Sequence, residues 1–206
     1  MLVYLMLGSA YGLGAAVTPG PLATYLISQA LTNGWRRTLP AVFAPLLSDG
    51  PIILIVLLIL TQVPLWLVQL LRFSGGFFVL YLAVGAAKAW RSYQANEAFQ
   101  ARSSRQSLVK ATTVNLLNPN PYLSWTLVVG PLLLKAWRET PGNGIALLAS
   151  FYGTMILIMV AIVLLFSAAK NLGPKVNRAL IGASAVGLAC FGIYQLWMGV
   201  AAYWSL

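Results

Sequence analysis

Histidine is missing from the chain, cysteine occurs once, at Cys190, and only three residues are acidic. With no His and a single thiol, the chain cannot build a His/Cys metal site, a disulfide framework or a paired redox centre. Charged residues make up 8% of the 206 positions, against roughly 25% in soluble domains. That is too little to cover a soluble surface. The residues are instead 60% apolar, in long uncharged runs that point to an integral membrane protein. Most soluble enzymes and any disordered chain are excluded. No nucleophile–base set is visible, so an enzyme is the least expected reading, and no cofactor is implied.

The charge that is present is lopsided, with 13 Lys+Arg against 3 Asp+Glu and a net +10. Nucleic-acid binding would need these cations on a folded polar face. They lie between apolar runs instead, so nucleic acid is not an expected partner and the bilayer is. The stretch from Met1 to Trp35 has no charged residue. It lacks the basic start of a cleavable signal and exceeds its apolar length, so it reads as a retained span.

A spanning helix needs about 20 residues. The pattern predicts six, near 2–31, 39–61, 66–90, 111–134, 144–169 and 179–204, with a turn at Gln62-Val63-Pro64; five spans with one re-entrant hairpin is the blander reading of the same hydropathy. Ten basic residues fall in the odd-to-even connections: Arg36, Arg37, Lys88, Arg91, Arg102, Arg105, Lys110, Lys170, Lys175 and Arg178. Lys135 and Arg138 fall on the other side, with Arg72 just inside span three and able to snorkel outward. This bias places the odd-to-even connections in the cytoplasm and both termini outside. Residues 91–110, with Ser103, Ser104 and Ser107, read as a solvated cytoplasmic loop. Trp35, Trp66, Trp90, Trp137, Trp197 and Trp204 read as interface anchors.

The two halves resemble each other. Thr18-Pro19-Gly20-Pro21 in span one matches Asn118-Pro119-Asn120-Pro121 in span four. Gly75, Gly85 and Trp90 match Gly182, Gly192 and Trp197 at one common offset. A three-span unit is odd, so its second copy enters the bilayer the other way up, as in many secondary transporters. The expected fold is all-α: one transporter domain of six spans in two inverted three-helix repeats, 1–90 and 111–206, joined by loop 91–110.

Proline inside a helix removes a donor and clashes with the carbonyl four residues before it. Pro19 and Pro21 therefore strand the carbonyls of Ala15 and Val17, and Pro119 and Pro121 those of Asn115 and Leu117. Both spans should break. Unpaired backbone groups cannot face lipid, so the breaks must be buried or line a wet cavity. Half-helix ends there attract carboxylates at their N-termini and cations at their C-termini, which suits an amino acid. Packing kinks are the blander reading of the same prolines.

Asp49 is the one acid inside a span, where a carboxylate costs about 2.5–3.5 kcal/mol on insertion scales. It could hold a substrate ammonium, carry a coupling proton or other cation, or serve as half of a structural pair. Asn115, Asn118 and Asn120 crowd the second break and should face the cavity. Pro19, Gly20, Pro21, Asp49, Asn115, Asn118, Pro119, Asn120 and Pro121 thus form the candidate substrate site. Ser48, Thr18, Tyr122, Ser124, Tyr152 and Thr154 add contacts or interhelical bonds. Gly8-xxx-Gly12 permits close helix approach, which would serve a homodimer or internal packing equally well.

These features together resemble the LysE/RhtB amino-acid exporters. Thr18-Pro19-Gly20-Pro21, Asn118-Pro119, and Ser48-Asp49, as in the basic-amino-acid branch, carry the likeness. The resemblance implies a bacterial inner-membrane exporter of amino acids or related metabolites, driven by ion exchange (a proton or sodium ion) or by membrane potential. Two other readings of the residues stand beside it. One is an exporter of a metal cation or other ion, held by the asparagines, free carbonyls and one carboxylate. The other is a non-transporting assembly or lipid-handling factor, whose repeat is only architectural.

Overall fold

The structure is a computed structural model that describes residues 1–58, 65–91 and 103–204. Among the described residues the chain is helical, with no strand. The expected turn at Gln62-Val63-Pro64 and residues 92–102 of the expected loop lie outside them.

The first span is broken as the prolines demand. α1 (Leu2–Val17) stops at Thr18, which lies extended, and α2 (Pro21–Asn33) leaves at 64° to it. Pro21 takes the first helical position, where its missing donor costs nothing. Pro119, Pro141 and Pro174 likewise begin helices. Gly34, at φ 77°, ends α2 and admits the reversal into α3 (Trp35–Thr38). A 3₁₀ segment (Leu39–Phe43) then leads into α4 (Ala44–Leu58).

α5 (Leu65–Arg91), α9 (Pro141–Ala168) and α10 (Pro174–Trp204) are close to the expected spans three, five and six. These three are long and apolar enough to cross a membrane, and the bent α1–α2 pair makes a fourth. Within the described residues, α4 and the broken α6–α8 run, where the sequence places spans two and four, do not reach that length as single helices. α6 (Ser104–Leu116) differs from expectation. Part of the predicted loop is helical, because the Ser103 hydroxyl accepts from the Gln106 N–H at 3.3 Å and caps it. Ser107 is buried there rather than solvated, and Tyr25 donates to its carbonyl at 3.4 Å.

α7 (Pro119–Ser124) continues through a π turn (Trp125–Val129) into α8 (Gly130–Glu139). Pro131 cannot donate to the carbonyl of Leu127. The chain widens instead, and the Gly130 N–H reaches back five residues to the Trp125 carbonyl. Such turns recur at functional sites.

Packing is governed by small residues. α5 lies along α10, and α1 along α9. Gly76 and Gly192 let the first pair touch: a Cβ on either would come 3.1 Å from the other's carbonyl oxygen. On Gly8 and Gly12 a Cβ would strike the Leu147 and Phe151 carbonyls. This motif therefore packs the chain's own helices. The outward faces are apolar: Leu157 and Leu165 of α9, and Val186 and Ile193 of α10, are exposed. Apolar residues on both sides of long helices are the mark of a multi-pass membrane protein. Arg36 lies over the ring of Trp35, and Arg178 over Trp90, at centroid distances of 5.2 and 5.7 Å. Both tryptophans are expected interface anchors.

Candidate functional site

The two helix breaks meet α4 and α9 around a cavity of about 350 Å³. Pro19, Gly20, Asp49, Asn115, Asn118, Asn120 and Pro121 line it, as do Thr18 and Ser124. Its remaining wall is apolar, with Trp125, Phe151, Met155 and Met159 among the contributors. Pro21 and Pro119 face a second, smaller cavity on the other side of the breaks.

Local bonds satisfy some of the groups at the breaks, and the sequence did not foresee which. The Thr18 N–H and hydroxyl both donate to the Gly14 carbonyl, at 3.0 and 2.6 Å. At the second break the gap falls before Pro119, not between the prolines. Asn118 caps α7 by accepting from the Asn120 N–H at 3.1 Å. The Asn115 carbonyl, expected to be stranded, accepts the Asn118 N–H at 3.2 Å, and the Tyr122 hydroxyl reaches the Leu116 carbonyl at 3.0 Å.

Asp49 lies at the cavity wall, 4% exposed. Its α4 backbone is loosened close by, since Pro51 cannot donate to the Leu47 carbonyl. No cation pairs with it among the described residues; four neutral donors converge on it instead. Oδ1 accepts from Asn115 Nδ2 at 3.1 Å and from the Ser48 hydroxyl at 3.5 Å. Oδ2 accepts from the Tyr152 hydroxyl at 3.1 Å and from Trp125 Nε1 at 3.4 Å. Asn115 also donates to Ser48 at 2.7 Å, tying α6 to α4. One carboxylate thus joins α4, α6, the π turn and α9.

The chain as a whole is similar to one family. The family model of the LysE type translocators matches residues 13–199. The chain belongs to that family. No curated protein and no solved structure matches it. As a LysE-type translocator the chain belongs to a family of membrane transporters.

Within this translocator, Trp125 is the site residue that sequence reasoning missed, and Tyr152 was named only as one polar residue among several. A signal was available. An indole N–H buried in mid-span requires an acceptor, and Asp49 is the only acid within a span. The aromatic cluster fixes both donors: the Phe151 ring stands edge-on to Trp125 at 5.9 Å and to Tyr152 at 5.0 Å. Hydrogen bonds to a charged group contribute about 1.5–3 kcal/mol. Tyr152→Phe, which deletes only the hydroxyl 3.1 Å from Asp49, should therefore lower the melting temperature in detergent. Thermal unfolding of the variant beside the wild type checks this, and an unchanged melting temperature would contradict the geometry.

Proposed function

We propose that this translocator exports amino acids or related small metabolites across the bacterial inner membrane by alternating access. The observation that carries the reading is the cavity itself. Two broken helices and the one intramembrane carboxylate converge on a space within the range of about 300–1,000 Å³ typical of small-molecule sites. A solute ammonium or cationic side chain approaches Asp49, and its carboxylate approaches the broken helix ends near Gly20 and Asn120. Asp49 also serves as the group through which a proton or sodium ion is exchanged.

Two inverted three-span repeats, six spans in all, rock around this site. The repeat reading is supported by the matched Pro-x-Pro motifs of spans one and four, whose breaks both line the cavity. The basic connections face the cytoplasm, and both termini face outside.

Metabolite profiling of the medium after overexpression tests the function. One or a few amino acids should accumulate above the empty-vector level. An unchanged medium across all amino acids, with the protein present in the membrane, would overturn the reading.

A further inference from the structure

The cavity beyond the breaks has a volume of about 240 Å³. Pro19, Gly20, Asn118 and Asn120 line both cavities, so the two helix breaks are the partition between them. Each cavity has one charged residue in its wall. In the larger it is Asp49, and in the smaller it is Arg72.

Arg72 lies near the start of α5, just inside the third span. It is half-buried, and its Nη1 donates to the Met198 carbonyl of α10 at 2.8 Å. That neutral oxygen is its one hydrogen-bond partner among the described residues. A guanidinium has five N–H donors in a rigid fork that matches a carboxylate. Half-buried and held beside a void by a neutral acceptor, it has no anionic partner among the described residues to offset the desolvation it has undergone. Gln195, 7% exposed, supplies a further buried amide in the same wall.

We infer that the Arg72 cavity is a carboxylate-binding subsite, set on the opposite side of the two helix breaks from the Asp49 chamber. The inference rests on the transport reading for one point, that the carboxylate belongs to the moving solute. On that reading the solute leaves a chamber that attracts cationic groups and passes the breaks. It then meets a guanidinium that takes its carboxylate. The two charges give the pathway a polarity matched to a zwitterion.

Arginine-selective modification tests the subsite without any transport. The purified protein in detergent is treated with phenylglyoxal, and each arginine is followed by peptide mass spectrometry. Acetate and glycine are the carboxylate probes, methylammonium chloride at equal ionic strength is the control, and phosphatidylglycerol tests a lipid phosphate as the anion. Protection scales as one plus ligand over dissociation constant, so a probe at about four times that constant slows modification about fivefold. Acetate or glycine should slow Arg72 by that factor while Arg36 and Arg138 stay unprotected. Three outcomes overturn the subsite: Arg72 that never reacts, Arg72 unprotected by both carboxylates, or protection by phosphatidylglycerol alone. Protection without export of any solute would sink the transport reading and leave the subsite. Export without protection would do the opposite.

Discussion

Asp49→Asn is expected to reduce export at least about thirtyfold while the protein still folds and reaches the membrane. The side chain keeps its shape and can still accept from Tyr152 or Asn115 through its amide oxygen. What it loses is the negative charge facing the solute cavity. Truncating one side of a buried, hydrogen-bonded charge pair costs about 2–5 kcal/mol, and every 1.4 kcal/mol is tenfold in affinity. Asp49→Leu should fail differently. It leaves the Asn115, Tyr152 and Trp125 donors without their acceptor, each at a cost of about 1–3 kcal/mol, so the yield of folded protein falls as well. Export assays paired with membrane immunoblots separate the two variants. Export by Asp49→Asn at the wild-type level would remove Asp49 from the mechanism.

Gly12→Leu should have the second largest effect, and it acts on fold and site together. Gly12 is buried where α1 crosses α9, and a Cβ there would strike the backbone of Phe151. A backbone carbonyl cannot turn aside as a flexible side chain can, so the helices must separate. Overpacking of this kind costs about 1–3 kcal/mol, occasionally more. Moving Phe151 also shifts the ring that fixes both Trp125 and Tyr152. The variant should therefore melt several degrees lower in detergent and export less per folded molecule. Gly14→Ala is the control on the same helix, because a Cβ at Gly14 meets nothing within 4 Å. Equal melting temperatures for the two variants would contradict the packing described here.

Much of the architecture was legible in the sequence because bilayer physics leaves few choices. Charge scarcity and apolar runs located α5, α9 and α10 to within a few residues. Proline chemistry located the break in span one, since Pro19 and Pro21 together deprive two carbonyls of their helical donors. Asp49 stood out for the same reason, as an acid with no solvent to justify it. What the sequence concealed depends on three-dimensional partners. The second break falls before Pro119 because the Asn118 side chain caps α7 there, an arrangement that the motif match with Pro19-Gly20-Pro21 did not reveal. Trp125 resembled one more aromatic until a π turn, forced by Pro131, placed its N–H on Asp49. The Met198 carbonyl that Arg72 meets on α10 is likewise a partner that no sequence pattern announces. The helical start of α6 was hidden by a polar, serine-rich stretch that reads as loop unless the Ser103 cap is counted.

Solute counterflow in proteoliposomes addresses the central claim most directly. Vesicles holding the purified protein are loaded with the amino acid found in the medium and diluted into a trace of the labelled compound. Label should accumulate transiently in loaded vesicles with wild-type protein. It should fall to the protein-free level when the lumen is empty or when the protein carries Asp49→Asn. Accumulation unchanged by Asp49→Asn, or equal to that of protein-free vesicles for every amino acid tried, would contradict a solute pathway through the Asp49 cavity.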